Sequence, residues 1–494
     1  MLSPDYYLHC TDALVELMAA YDDAVVADIA RRLVKTGYVT DTAKMQIRQA
    51  QEMGLLYEDI IAEIAEYSGA TNSTVKALFE DAGVESVDID NRLYTEAGMQ
   101  PVELRASPAM LQMLQAGYEN TLGTLKNLTL TTANTAQQAY ISACDLAMLQ
   151  VQSGAMSYQD AIRRAINSTA SAGTYVLYPS GRTDRIEVAA RRAVLSGVGK
   201  TCRTIGEYNA SSMGCDLMEL SAHAGARPSH AAWQGKIVSL SGRSGYLSKS
   251  DIGYETGDGF GGWNCRHDWY PFFPGISTPN YSTEKLQEID DMTVNYNGQT
   301  ISYYDATQVQ RKLERDIRET KQKMSATSAA RDAATNRKLI TDLDTDFNIQ
   351  SKKLLEQRNT LADFLRQTKF LGDSARTQSY GFGRSTAGKA SYAARTIKEY
   401  DSLIGTMTAI GIPVTGVSEH FGARALARKI SVDDALDALT NALDVGKIKT
   451  DKKGRRSRAL IGKRAKVQIN PDTGNLSTVW ETSEKIRKKY GVMP

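Results

Sequence analysis

Apolar residues recur at three- and four-residue intervals over most of the chain and at alternate positions only near its end. Leu14, Leu17, Met18, Tyr21, Val25, Ile29 and Leu33 form the stripe of an amphipathic helix, and helical patterning continues across the first 170 residues. Ile60, Ile61, Ile64 and Ala65, a break at Gly69, and then Ser73-Thr74-Val75-Lys76-Ala77-Leu78-Phe79 imitate a helix-turn-helix. Glu58, Asp59, Glu63, Glu66, Glu80, Asp81 and Glu85 surround Lys76 with negative charge, whereas phosphate contacts need cations, so this segment reads as helix packing. Arg185 to Leu195 predicts another helix, carrying Arg185, Arg191 and Arg192.

Beyond residue 300, Val309, Leu313 and Ile317 repeat every four positions, and Glu314 with Arg318 and Glu319 with Lys323 are favourable i,i+4 pairs. A second stripe runs Leu339, Leu343, Phe347, Leu354, Leu361, Leu365, predicting two long antiparallel helices joined around Ser325 to Ala333. Thr377 to Ser391, with Gly381, Gly383 and Gly388 and few large aliphatics, predicts a flexible linker. Ser431-Val432-Asp433-Asp434 predicts a helix start, with Ser431 as N-cap and Ala435, Leu436, Leu439 and Leu443 on an apolar face. The period then changes to two. Val467 and Ile469 alternate with Lys466, Gln468 and Asn470, as do Leu476, Thr478 and Trp480 with Ser477, Val479 and Glu481, giving two half-buried strands joined by Pro471-Asp472-Thr473-Gly474. The expected fold class is mainly α with α+β parts in a multidomain chain. A helical N-terminal region covers 1–174, a small glycine-rich α+β module 175–280, a long helical hairpin connector and linker 281–400, and a C-terminal α+β domain with an antiparallel sheet 401–494.

Composition changes this picture little. The 494 residues suffice for three or four domains at roughly 100–200 residues each. With 42% apolar and 23% charged residues, the chain has the make-up of a folded protein. No apolar run approaches the roughly 20 residues of a membrane span. Met1-Leu2-Ser3-Pro4-Asp5-Tyr6-Tyr7-Leu8 lacks a basic n-region and an apolar h-region, so the expected site of synthesis and folding is cytoplasm, with no membrane partner. Cys10, Cys144, Cys202, Cys215 and Cys265 are an odd, scattered set and read as reduced thiols.

Charge sets the last segment apart. Residues 401–494 hold 17 Lys and Arg against 10 Asp and Glu, a balance of +7; because the whole chain is +2, the first 400 residues carry −5. The run Lys447, Lys449, Lys452, Lys453, Arg455, Arg456, Arg458, Lys463, Arg464, Lys466 supplies most of the excess, which favours a polyanionic partner. His420, the only histidine of the last two hundred residues, precedes Arg424 and Arg428 at helical spacing. Imidazole titrates near neutral pH, and guanidinium matches phosphate oxygens in a two-point fork. A metal-free ribonuclease needs such parts, although the same groups also serve as a helix cap or as partners of Glu419 and Asp433.

These residues carry a resemblance. His420-x3-Arg424-x3-Arg428, Arg456-Ser457-Arg458-Ala459-Leu460-Ile461-Gly462, Val467 to Gly474 and Ser477-Thr478-Val479-Trp480-Glu481-Thr482-Ser483 resemble the phage-encoded barnase/EndoU/colicin/RelE-like nuclease domains over roughly the last 80 residues. The resemblance implies RNA cleavage by attack of the ribose 2′-hydroxyl on the adjacent phosphate, without metal or cofactor. Under it, His420 would be general base or acid and Arg424 the phosphate clamp, with hydroxyls from Thr478 and Thr482. Arg428, Arg456, Arg458, Lys463 and Lys466 would bind nucleic acid. The sequence departs from a two-histidine scheme, leaving the leaving-group acid to a lysine or water.

Between 175 and 280 the chain turns towards glycine, aromatics and histidine. Met218-Glu219-Leu220-Ser221-Ala222-His223-Ala224-Gly225-Ala226-Arg227-Pro228-Ser229-His230-Ala231-Ala232-Trp233-Gln234-Gly235-Lys236, then Gly261-Gly262-Trp263-Asn264-Cys265-Arg266-His267 and Pro271-Phe272-Phe273-Pro274-Gly275, resemble the minor capsid proteins of tailed phages related to the Mu F-type head morphogenesis proteins. That resemblance extends more loosely from the N-terminal helices to about residue 400. It implies a virion protein of the phage head made in the bacterial host cytoplasm, with portal and major capsid proteins as partners. The nuclease likeness adds RNA as substrate and an immunity protein as a candidate partner. Two other readings stay open: a purely structural head protein whose basic tail binds packaged DNA without cleavage, and a bacterial polymorphic toxin, against which the head-protein blocks argue.

Gly257-Asp258-Gly259-Phe260-Gly261-Gly262 satisfies G-x-G-x-x-G, but no helix pattern follows it, so it reads as a loop rather than a dinucleotide site. His223, His230, Cys265 and His267 are four N and S donors of the kind that hold structural zinc. Neither pair has common zinc-finger spacing, and Arg227, Trp233, Asn264 and Arg266 are hydrogen-bond partners close by. The sequence therefore assigns no metal, and a polar network fixing the glycine loop is the competing reading.

Overall fold

The computed structural model describes residues 2–36, 42–153, 155–451 and 454–492; Met1, Lys452 and Lys453 and the side chains of Ile61, Glu63 and Ala65 lie outside the described residues. The chain is mainly α with α+β parts, in agreement with its patterning.

Five helices open the chain: α1 (Pro4–His9), α2 (Asp12–Thr36), α3 (Thr42–Glu96), α4 (Pro108–Gln152) and α5 (Tyr158–Ala172). Ser3, Ser107 and Ser157 cap α1, α4 and α5, each side chain accepting from a backbone N–H of the first turn. Leu14, Met18, Tyr21, Val25, Ile29 and Leu33 are all buried in one core, with Leu17 partly covered against it. The segment packs as a helix, as expected, but the break expected at Gly69 is absent. Residues 60–79 lie inside the single helix α3, which runs through Gly69 without interruption. A glycine in a helix costs only about 1 kcal/mol, and packing of Leu56, Ile60, Val75 and Phe79 into the core outweighs it.

The hairpin β1 (Tyr175–Leu177) and β2 (Thr183–Arg185) leads to α6 (Ile186–Ser212), whose predicted extent ended too early. Helix α6 lies on α4 through reciprocal close contacts. A Cβ at Gly117 would stand 2.0 Å from Thr201 Oγ1, and one at Gly197 2.1 Å from Thr121 Oγ1. Glycine at both positions is what lets the backbones approach.

The central module contains β3 (Leu217–Leu220), α7 (Pro228–Ala231), β4 (Ile237–Ser239), β5 (Leu247–Ser248) and β6 (Trp269–Pro271). Its sheet order is β5-β4-β3-β6, antiparallel around β3 and parallel between β4 and β5. Met218, Leu220, Trp233, Val238, Phe260 and Trp269 form its core, closed by Tyr94 from α3 and Ala210 from α6. The glycine-rich segment 257–262 is a chain of turns, as expected of a loop. After α8 (Thr283–Asp290), the hairpin β7 (Thr293–Tyr296) and β8 (Gln299–Ser302) places Tyr296 on Phe364, ring centroids 4.9 Å apart.

Helices α9 (Tyr303–Ala333) and α10 (Arg337–Thr368) make the expected antiparallel hairpin, but its turn lies at 334–336. Ser325 to Ala333 stays helical because Ala326 and Ala330 pack into the N-terminal core. The predicted linker is also corrected: α11 (Arg384–Glu399) covers its second half and continues beyond it. Its small residues are packing surfaces, with Ala390, Ala393 and Ala394 buried.

In the last segment, β9 (Gly416–Val417), α12 (Glu419–Ala427) and α13 (Val432–Thr440) precede β10 (Asp444–Val445), β11 (Lys449–Thr450), β12 (Arg456–Ile461), β13 (Ala465–Ile469), β14 (Asn475–Glu481) and α14 (Glu484–Lys489). The sheet runs β10-β12-β13-β14-β9, antiparallel except for β14 with β9, and β11 pairs with β12. Ser431 and Asp434 form a full capping box at α13. Phe421, Ala425, Ala435 and Leu439 from the two helices meet Leu460, Val467, Ile469, Leu476 and Val479 from the sheet in one buried cluster. No helix among the described residues is long and apolar enough to cross a membrane.

Candidate functional site

Helix α12 begins at Ser418, whose hydroxyl accepts from Phe421 N at 3.2 Å and donates to the Ser477 carbonyl at 3.1 Å. This fixes the helix to β14, with Phe421 and Ala425 facing the core. His420, Arg424 and Arg428 then fall one turn apart along its other side. Arg424 Nη1 donates to Thr478 Oγ1 at 3.2 Å, while Arg424 Nε is buried with no hydrogen-bond partner. Arg428 donates from Nη1 to the Val479 carbonyl and lies 5.5 Å over the Trp480 ring, which Lys466 also approaches, at 5.7 Å. Thus Arg424, Arg428, Thr478, Trp480 and Lys466 share one patch, with His420 beside Arg424.

The half-buried His420 imidazole is held neutral. Its pKa is pushed down from 6.5 to about 4 by burial first, then by Arg424, Arg163 and Arg428, against a smaller opposing pull from Asp342. Burial also lowers both guanidinium groups, Arg424 and Arg428. Neutral imidazole can accept a proton but cannot donate one as an acid.

The remaining candidates are placed elsewhere. Thr482 is buried and donates to the Gly462 carbonyl at 2.8 Å, closing the end of β14 onto the turn between β12 and β13. Arg456 is paired with Asp472 at 2.6 Å, and Arg458 Nε donates to the Gly446 carbonyl at 3.1 Å. Lys463 is exposed on the same turn, where its backbone N–H donates to Asp437 at 3.3 Å. Lys447, Lys449 and Arg455 are exposed about β11, and Arg455 pairs with Asp451 at 2.7 Å.

Sequence reading missed the body's share of this site. Arg163 on α5 is anchored by Asp346 on α10, through a 2.7 Å bond from Nε and a second from Nη2, and by Asp160 at 3.2 Å. Asn348 of α10 donates to the Ala423 carbonyl at 3.1 Å, seating α12 on the long hairpin. Nothing local in the sequence links residue 163 or 342 to residue 420; only the tertiary packing brings them together.

A second constellation lies in the central module. The segment leaving β3 delivers His223, α7 delivers His230, and the approach to β6 delivers Cys265 and His267. His230 Nδ1 is 3.3 Å from His267 Nδ1, which is 3.5 Å from Cys265 Sγ, and these three ligand atoms all lie within 4.8 Å of one another. His223 stacks on His267, centroids 4.5 Å apart, but lies outside that group, and its Nε2 is buried with no partner. Burial lowers the pKa of all three imidazoles and raises the Cys265 thiol. The cluster opens on a cavity of about 440 Å³ whose lining includes Arg191, Arg227, Arg266, Arg311, Arg318 and Arg376. Burial and then neighbouring arginines lower Arg191 to about 10. The structure thus unites three of the four donors that the sequence left without a metal.

Comparison with known proteins supplies a frame for the central module. Residues 2–366 match the family described as phage minor capsid protein 2. A structural protein of Lactococcus phage LL-H is 24% identical over 304 residues, covering 58% of this chain and 78% of the relative. No solved structure matches the chain.

Proposed function

The chain belongs to the phage minor capsid protein 2 family, and on that premise we propose that its tail, residues 401–494, is a metal-independent ribonuclease carried on the head. The body, through residue 400, would dock on portal and major capsid proteins. One observation carries the catalytic part: Arg424, with an unpartnered buried Nε, sits on Thr478 one turn from an imidazole kept neutral.

In this reading His420 takes the ribose 2′ proton, which a neutral imidazole can do and an imidazolium cannot. Arg424 and Arg428 stabilise the negative charge that builds on the phosphorus oxygens. Trp480, flanked by Arg428 and Lys466, offers a stacking face for a base. A bound phosphodiester would offset the arginines' repulsion of a proton on His420 and raise its basicity during the reaction. With no second histidine in the tail, the leaving oxygen takes its proton from Lys466 or water.

The test uses the full chain, because α12 is seated on the body. Incubation with total RNA in EDTA should yield fragments ending in 2′,3′-cyclic phosphate, and His420→Ala should lower the rate by about 10²–10⁴. Intact RNA, or equal cutting by His420→Ala, would refute the proposal. The exposed cations about β11 favour a second reading, in which the tail binds packaged nucleic acid without cutting it. That reading expects strongly salt-dependent binding that is indifferent to His420→Ala.

A further inference from the structure

We propose that His230, Cys265 and His267 hold a zinc ion through Nδ1, Sγ and Nδ1, with its fourth position facing the arginine-lined cavity. The hydrogen bonds around the two imidazoles lead there. His230 Nε2 lies 2.8 Å from the Asp258 carbonyl, which can only accept, so Nε2 carries the ring proton and Nδ1 presents a bare lone pair. His267 Nε2 lies 3.2 Å from Gln234 Oε1. The amide orientation of Gln234 is fixed from both ends: its Nε2 donates to Asp290 at 2.6 Å, and its Oε1 accepts from His223 N at 3.2 Å. His267 therefore also carries its proton on Nε2 and turns a second lone pair on the first.

Two buried lone pairs 3.3 Å apart repel unless a cation lies between them. A metal satisfies the same geometry. For tetrahedral zinc with usual bond lengths, two nitrogen ligands stand about 3.3 Å apart and a nitrogen and a sulfur about 3.6 Å apart. The observed separations are 3.3 and 3.5 Å. Two imidazoles and a thiol are a donor set that suits zinc, and the Asp258 carbonyl and Gln234 amide are the outer partners that orient metal-binding histidines.

Because all three donors line the cavity, the remaining vertex is filled from it by water or by an anionic oxygen that the arginines attract. Three protein ligands and one open position distinguish such a centre from a closed structural site.

The full chain, dialysed against micromolar zinc and then metal-free buffer, should retain one zinc per molecule by elemental analysis. Cobalt(II) in its place should show a thiolate charge-transfer band that Cys265→Ser abolishes. Gln234→Ala should weaken zinc binding roughly 10–100-fold in competition with a chromophoric chelator. Wild-type protein with zinc at background and no thiolate band would overturn the site, as would a cobalt spectrum identical in wild type and Cys265→Ser. The wild-type measurements decide the matter even if a variant fails to fold.

Discussion

Replacing Arg163 by methionine should loosen the contact of α5 with α10 and change the titration of His420. The Arg163 and Asp346 side chains are 16% and 12% exposed, and the fork between them uses both carboxylate oxygens. Removing the guanidinium leaves Asp346 poorly solvated and unpaired, a change that costs about 3–5 kcal/mol for fully buried pairs. Residual solvent access at Asp346 brings the expected loss to about 2–4 kcal/mol. It should appear as faster hydrogen exchange in α5 and in α10 around Asp346. A second substitution, Asp346→Leu, should recover most of the loss, because it removes the orphaned charge. Arg163 also helps hold His420 down at about 4, so in Arg163→Met the His420 pKa should rise, as followed by NMR of the histidine rings. Exchange altered by less than about 0.5 kcal/mol, together with an unmoved His420, would refute the view that Arg163 both ties α5 to α10 and lowers the His420 pKa.

Two further outcomes are expected. A Cβ at Gly462 would stand 2.6 Å from Ala438 Cα, so Gly462→Ala must push α13 off the turn between β12 and β13; thermal unfolding should report about 1–3 kcal/mol of overpacking. His420 has a folded pKa below its unfolded value, so the unfolded chain binds the extra proton between pH 6.5 and about 4; the stability it contributes is complete above pH 6.5 and disappears as pH falls through that window. The full shift would correspond to about 3 kcal/mol, and half-exposure of the ring reduces this to roughly 1 kcal/mol, measurable as a smaller acid destabilisation in His420→Ala.

Much of the architecture was legible because it is local. The stripe from Leu14 to Leu33, the capping box at Ser431 and the alternation around Val467 each depend on spacing within one element. Gly69 and the linker misled for one shared reason. Glycine weakens a helix in isolation, and a scarcity of large aliphatics hides a core face. Yet packing elsewhere on α3 outweighs the first and buried alanines on α11 overturn the second, and in both cases the compensating neighbours are distant in sequence. Gly422 shows it: a Cβ there would meet Ile397 at 2.9 Å, so α11 and α12 touch where the sequence suggested a loose tether. At the tail patch, the helical spacing of His420, Arg424 and Arg428 was readable, but Arg163 and Asp342 were not. In the central module the donors were visible one by one. Their convergence depends on β3, α7 and β6 packing together, and on Gln234 fixing a tautomer, which no spacing rule encodes.

The hairpin of α9 and α10 sets a distance as well as a contact. Near its turn, Ala326, Ala330, Leu339 and Leu343 sit in the N-terminal core, while Asn348 and Leu354, further along the same rod, seat α12 and α11. Each residue added between these two stations would advance the rod by about 1.5 Å and rotate it by about 100°, so a single insertion would point the seat into solvent. Seven residues, matched in the opposite arm, would restore the facing within about 20° and carry the tail roughly 10 Å outward. The hairpin therefore has the geometry of a graduated spacer, along which the reach of the tail would change in steps of two helical turns without altering either end.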